Sequence, residues 1–361
     1  MKRNKRMLTV ALSLAAVFTL AGCGSNSKSS AKKEAAPSNG DAVTIKKGEY
    51  IIPEDKKTLG EDEAYLALKL HIKNNGPKQN LMSDDIKLKD KDGDKIKSID
   101  VYGSGDEFST MNTAKLDKNE VVNGYVVFPV SKDKKYTLEV SPMAADVEED
   151  DDITTTKVKV DTSKYKNHTQ DAQKAMASYV DSVLLDKKEG NVSYDKLIAN
   201  KMEDEKIEYR KVARDFLETD AFNDTIKDEA SLKMIEQIQD VNRKKGSVKY
   251  SIKSVTPTTA EVTVTPTLVK LSELSSDISD VHQQVEDSQN ADGDMSYDDI
   301  ERAVKETVAE KFPEVLNEMP VREDDSRNIK LIKDGKKWKV DTSESDYDFE
   351  SLQKAFAGSF Y

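Results

Sequence analysis

Three hydrophobic rhythms run along the chain of 361 residues. The first is an apolar run without a single charge from Met7 to Leu20, behind Lys2, Arg3, Lys5 and Arg6. It is too short to cross a bilayer stably as a helix, and a basic stretch before an apolar one is the pattern of an export signal. The second rhythm has a period of two and extends from Val43 to about Asp161. Between Tyr65 and Lys73 it sets Leu66, Leu68, Leu70 and Ile72 on one face and Lys69, His71 and Lys73 on the other, which predicts a half-buried antiparallel strand. That strand stops at Asn74-Asn75-Gly76-Pro77, a turn cluster. Ile86 and Leu88 then alternate into the hairpin turn Asp90-Lys91-Asp92-Gly93, and Ile96 continues beyond it. Val122, Val126, Phe128 and Val130 predict another strand, as do Tyr136, Leu138 and Val140. Short strands at this spacing argue for a β-sandwich.

The third rhythm is helical. Ala172, Ala175, Met176, Tyr179, Val180, Val183 and Leu184 recur at three and four. Tyr209, Val212, Ala213, Phe216 and Leu217 repeat the pattern, as do Met234, Ile235, Ile238 and Val241. Strands are expected at Ser247–Val255 and Ala260–Lys270, then a helix carrying Ile300, Ala303, Val304, Val308 and Phe312. A last hairpin pairs Asn328–Lys333 with Lys336–Asp341 across Asp334-Gly335, a favoured hairpin dipeptide.

The leader ends Leu20-Ala21-Gly22-Cys23, which resembles the bacterial lipobox. The resemblance implies a diacylglyceryl group on the Cys23 thiol and cleavage before that residue. Cys23 is the only cysteine. Its lipidation would leave the mature protein without a thiol, and so without disulfides, Cys-based zinc sites or thiol catalysis. Two acyl chains make membrane residence stable. Residues 24–42, rich in Ser, Ala, Gly, Asn and Lys, read as a flexible tether reaching roughly 25 Å, and Lys28, Lys32 and Lys33 can rest on lipid headgroups.

Several marks in residues 43–161 resemble the immunoglobulin-like domain of Gram-positive surface lipoproteins. These are YLALKLHIKNNG, then IKLKDKDGDKI, then VVNGYVVFPV and YTLEV. From 162 to 361, helices followed by a meander ending in DGKKWKVD resemble the cystatin-like fold of the nuclear-transport-factor-like superfamily. The extra helical stretch near 271–320 departs from that plan. The expected organisation is a leader (1–22), a lipidated tether (23–42), an all-β immunoglobulin-like sandwich (43–161) and an α+β cystatin-like domain with an antiparallel sheet (162–361). The arrangement resembles two-domain Gram-positive lipoproteins of unknown function. These marks are structural, so they imply fold and not activity.

Charge narrows the partners. Removing the four bases of residues 1–22 leaves 52 Lys and Arg against 68 Asp and Glu, a net charge of −16. No basic face compensates phosphate, so nucleic acid is not expected as a partner. Membrane contact through the anchor is expected, with an extracellular protein, peptide or small molecule as ligand.

The most specific local chemistry is Ser288 to Asp299, which is similar to a calcium-binding EF-hand loop. Asn290, Asp292, Asp294 and Asp299 would be the oxygen ligands, with Gly293 at the sixth position. Ser288 replaces the expected first Asp, and Asp299 replaces the bidentate Glu, shortening its reach. An acidic interhelix turn with Ser296 as N-cap is the favoured reading. Asp90, Asp92 and Asp94 lack the loop glycine and read as a hairpin turn. Glu148–Asp152 reads as a solvated charge run. His71, His168 and His282 have no partner at metal-ligand spacing. No Gly-x-Ser-x-Gly elbow, Ser-x-x-Lys or Walker loop is present. Trp338 and Phe360 read as core or edge aromatics, and Val262, Val264 and Leu268 as aliphatic filling of the cystatin-like cone. The expected function is therefore non-catalytic binding at the cell surface. An enzyme with a pocket in the C-terminal domain is the alternative. A third reading has the leader end Ala16–Gly22 released as a signalling peptide.

Overall fold

The computed structural model describes residues 41–54, 59–101, 108, 110–145, 154–188, 191–222, 226–271, 274, 279–280, 283–284, 287–288, 296–343 and 346–358. Cys23, Asn290, Asp292, Asp294, His282, Phe360 and the run Glu148–Asp152 lie outside them.

The N-terminal region is an all-β sandwich. Its strands are β1 (Ala42–Ile51), β2 (Glu63–Lys73), β3 (Gln79–Leu81), β4 (Ile86–Lys89), β5 (Lys95–Lys97), β6 (Ala114–Leu116), β7 (Val121–Ser131), β8 (Lys135–Val140), β9 (Met143–Ala144) and β10 (Thr156–Asp161). One sheet has the order β1-β2-β7, a second β10-β8-β4-β5 and a small third β6-β3-β9, all antiparallel. Alternation decides which faces meet. Leu66, Leu68, Leu70 and Ile72 on β2, with Val126, Phe128 and Val130 on β7, pack against Ile86, Leu88, Leu138, Val140 and Val160. Each fully buried side chain of this kind contributes about 1.5–3 kcal/mol.

Two details were not legible in the periodicity. Asp41 is tied to the sandwich, its carboxylate accepting from Gln79 Nε2 at 2.5 Å and its carbonyl from Thr156 Oγ1 at 3.1 Å. The outer face of β2 is also partly covered. Ala67 is buried there with Tyr125 and Val127 beneath Val101 and Phe108, whose ring lies 4.9 Å from that of Tyr125.

The C-terminal region is α+β. Its helices are α1 (Asp171–Tyr179), α2 (Asn191–Leu197), α3 (Met202–Phe216), α4 (Asp228–Lys245), α5 (Tyr297–Glu318) and α6 (Tyr347–Phe356). Its strands are β11 (Ser247–Val255), β12 (Thr259–Val269), β13 (Val321–Glu323), β14 (Arg327–Asp334) and β15 (Lys337–Val340). The antiparallel sheet runs β11-β12-β14-β15, with β13 also on β12. Val262, Val264 and Leu268 are fully buried against the helices with Ile329, Leu331, Val340, Phe349 and Phe356. Trp338 joins this core and carries Lys333 Nζ 4.1 Å from its ring centre.

The β15 edge of this sheet is closed locally. Ile198 bridges Trp338 in parallel, Ala199 N donates to Trp338 O at 2.8 Å, and the Asn200 amide bonds both backbone groups of Val340. An amide side chain thus takes a strand's place, which keeps that edge from pairing with another chain.

Backbone also joins the two regions. Ile52, just past β1, exchanges both hydrogen bonds with Val255 on β11, at 2.9 and 2.7 Å. Lys253 Nζ pairs with Glu54 at 2.8 Å and Glu261 at 3.0 Å. Gly48 leaves room for the Tyr165 ring, since a Cβ there would come within 2.3 Å of it. These contacts predict one cooperative thermal transition for sandwich and α+β region together. Two separated peaks in calorimetry would contradict that coupling.

Candidate functional site

The site grows from the end of α1. Beyond Tyr179 the helix widens into one π turn, Val180–Leu184, closed by Leu185 N donating to Val180 O at 2.9 Å. Such bulges shift the face a helix presents and concentrate at functional sites. Here Ser182, Val183 and Leu184 stay in the core while Asp181 turns out. Lys187 folds back onto it, with its N–H on the Asp181 carbonyl and its Nζ on the carboxylate, both at 2.7 Å.

The last turns of α4 hold this bulge in place. Gln239 Nε2 donates to Leu184 O at 3.0 Å, and Arg243 Nη1 to Leu185 O at 2.6 Å. Arg243 Nη2 reaches Asp240 at 3.3 Å. Asn242, one residue back, accepts from Val269 N at 2.9 Å and donates to Phe356 O at 3.2 Å. Gly246 ends the helix where a Cβ would sit 2.6 Å from Asn242 O and 2.9 Å from Thr267 O, so no larger residue fits the turn into β11.

Between the π turn, the end of α4 and the start of β11 lies a cavity of about 230 Å³. Leu185, Val248 and Leu268 give it an apolar side; Asp181, Lys187, Arg243 and Tyr250 give it a polar one. Lys187 and Arg243 face Asp181 in the lining, and Asp240 stands beside Arg243. Burial pushes the Tyr250 phenol well up, and nearby Asp181 adds to the effect, so it is a neutral hydrogen-bonding group at any physiological pH. The cavity thus combines neutral and cationic donors over an apolar floor, suited to holding a small or extended polar group.

Residues 162–357, which build this cavity, match the family model described as a domain of unknown function, DUF5105. The chain belongs to the DUF5105 family. Ahead of the DUF5105 region, residues 38–151 match a second domain of unknown function, DUF4352. Among solved structures, ycdA of Bacillus subtilis, provisionally described as a lipoprotein, is 20% identical, with a TM-score of 0.62 over 90% of this chain and 99% of its own. At that identity the similarity establishes a shared fold. The yjhA protein of Bacillus subtilis is 21% identical, with a TM-score of 0.29 over 36% of this chain and 99% of its own. An uncharacterised β-sandwich protein of Clostridium difficile 630 is 18% identical, with a TM-score of 0.20 over 35% of this chain and 89% of its own. No curated protein matches the chain.

The described residues singled out from sequence for metal or histidine chemistry fall elsewhere. Of the proposed calcium ligands only Asp299 is described, in the first turn of α5. Ser296 Oγ donates to its carboxylate at 2.7 Å and Arg302 pairs with it at 2.9 Å. Those partners, the Ser296 hydroxyl first, hold the carboxyl below its usual range. Ser296 is the N-cap and accepts from Asp299 N. Asp90 Oδ1 accepts from the N–H groups of Asp92 and Asp94, both at 2.9 Å, which makes that acidic stretch a turn. His71 bonds Asn123 on the neighbouring strand and His168 bonds Asp171 at the start of α1, each at 2.8 Å. Among the described residues no three His, Cys, Asp or Glu side chains are grouped to hold a metal ion. Calcium added to the chain is expected to give no binding heat in calorimetry, and Asp292→Ala to change nothing. A saturable signal lost in that variant would restore the loop.

The DUF5105 region also buries three phenols, of which Tyr179 and Tyr209 are placed by periodicity on helix core faces and Tyr194 is not. Tyr179 donates to Glu205 at 2.7 Å, and Glu205 accepts in turn from Asn200 at 2.8 Å. The Tyr194 and Tyr209 hydroxyls are buried without a partner among the described residues. Burial raises all three well above the ordinary phenol value, so they remain protonated.

Proposed function

We propose that the chain is a lipid-anchored protein of the extracytoplasmic membrane face, and that its DUF5105 region binds a ligand without turning it over. The carrying observation is the leader, basic then apolar and ending Leu20-Ala21-Gly22-Cys23. The fold shared with ycdA supports this, as does the lack, among the described residues, of any helix long and apolar enough to span a membrane. Binding is favoured over catalysis by the state of the buried phenols. The buried Tyr179 and Tyr209 phenols are held protonated, with Tyr179 already donating to Glu205. General acid–base work needs a group that titrates near the working pH.

Fractionation of producing cells tests the anchor. Wild type is expected in the membrane pellet and in the detergent phase on extraction, and Cys23→Ala in the soluble fraction or the medium, at full-length fold. Equal partitioning of the two would overturn it.

A further inference from the structure

The cavity lies beside a strand edge that is unpaired over most of its length among the described residues. Pro266 on β12 pairs with Val248 on β11, has no N–H, and gives its carbonyl to Asp324 on the opposite side at 2.8 Å. Pro266 and Val248 are therefore a non-hydrogen-bonded pair. Alternation then turns the N–H and C=O groups of Val248, Tyr250 and Ile252 away from β12. A bulge between Ile252 and Ser254 resets the phase, so that Val255 also faces outward, and there Ile52 takes both of its backbone bonds. One end of this edge thus already accepts a strand from the sandwich. Over the rest, no group among the described residues bonds the outward backbone of Val248, Tyr250 or Ile252.

We propose that β11 takes up an extended acidic peptide as an added strand, with one Asp or Glu side chain seated in the cavity between Lys187 and Arg243. This rests on the binding reading above and names the partner's chemistry. Main-chain bonds to an open edge supply affinity, and a pocket for an alternate side chain supplies selectivity. The side chains of Val248 and Tyr250 line the cavity, so an adjacent strand directs every second side chain toward the same space. The Arg243 guanidinium, with five N–H donors, keeps several free beyond Leu185 O and Asp240, and these suit a carboxylate. A second copy fits less well. Lys249 stands on the edge strand, a placement that opposes edge-to-edge pairing of like chains.

Hydrogen exchange on the full chain gives the first test. The Val248, Tyr250 and Ile252 amides should exchange fast and those of Lys249 and Ser251 slowly. A labelled Val/Thr peptide with a central Glu should bind saturably and protect the three fast amides. The same peptide with Gln at its centre should bind about tenfold more weakly, and with alternate N-methyl amides not at all. Val248→Pro removes one edge donor while leaving the β12 ladder whole, and should weaken the Glu peptide at least about tenfold. Retained protection at Lys249 and Ser251 shows that this variant folds. Lys187→Gln, at a half-exposed position, should erase the preference for Glu over Gln. No saturable binding of the Glu peptide, indifference to Val248→Pro, or edge amides already protected in a chain that sediments as a dimer would each overturn the proposal. None of these outcomes alters the Cys23 fractionation, so the anchor and the peptide site fail separately.

Discussion

Replacing Asp324 with alanine is expected to lower the unfolding free energy by about 3–5 kcal/mol, the cost of breaking a buried ion pair from one side. Asp324 is 1% exposed; Lys270 and Arg327, its partners, are 5% and 9% exposed. Lys270 Nζ bonds one carboxylate oxygen and Arg327 Nη2 the other, at 2.9 Å for the arginine. Arg327 extends the network through Nε to Ser351 on α6 at 2.8 Å and through Nη1 to Asp325 O at 2.6 Å. The carboxylate therefore ties the end of β12, the turn into β14 and the last helix together. Alanine leaves two buried cations without the carboxylate they share. Asparagine keeps the volume and one acceptor and should cost less. Denaturant midpoints for the two variants measure the difference, and an alanine variant within about 1 kcal/mol of wild type, the range of an exposed pair, would sink the argument.

The same group sets an acid limb on stability. Burial alone would raise the Asp324 carboxyl, but Lys270 and Arg327 outweigh it and hold the group below its usual range. A carboxyl whose folded value is depressed contributes stability that is complete above the unfolded value, about 4. That contribution drains away as pH falls through the folded value. Wild type should lose stability steeply below about pH 4, and Asp324→Asn should show a flatter curve over the same window.

Periodicity revealed most of the architecture because most of it is periodic. A strand with one buried face, such as Glu63–Lys73, writes its alternation into Leu66, Leu68, Leu70 and Ile72. A helix such as α4 writes its spacing into Met234, Ile235, Ile238 and Val241. Hairpins at Asp90 and Asp334 carry their own turn chemistry. Elements held by single contacts leave no such trace. The strap Ile198–Asn200 works through three residues, one of them an amide acting as a strand. The cover over Ala67 and Tyr125 rests on Val101 and Phe108 without a repeat. α6 is different: Phe349, Leu352 and Phe356 do recur at helical spacing, and that signal was readable beside the charged Tyr347–Glu350 start. The cavity was not readable, because it joins residues 181–187, 242–250 and 268 through a π turn that looks helical in the sequence. Its charges, Asp181, Lys187 and Arg243, stand among 124 charged residues and acquire meaning only when the bulge and the end of α4 bring them together.

That convergence turns on Asn242, and Asn242→Ala is expected to cost about 2–5 kcal/mol, since it strands two buried backbone groups at once. The Asn242 side chain is buried, satisfies the Val269 N–H where β12 ends, and satisfies the Phe356 carbonyl where α6 ends. A methyl group can replace neither bond. The loss should be local before it is global. Val269's amide should change from slow to fast exchange, and the end of α6 should fray, while the sandwich amides of β2 and β7 hold until the shared unfolding transition. Because Asn242 is followed by Arg243 and then by the Gly246 turn, loosening it also frees the wall that fixes the π turn. Peptide affinity at the β11 edge should therefore fall along with Val269 protection. Asn242→Asp separates the two bonds: it keeps the acceptor for Val269, loses the donor to Phe356, and should leave Val269 slow while α6 still frays. A variant in which Val269 and Phe356 behave alike would mean that the amide acts through packing and not through its two hydrogen bonds.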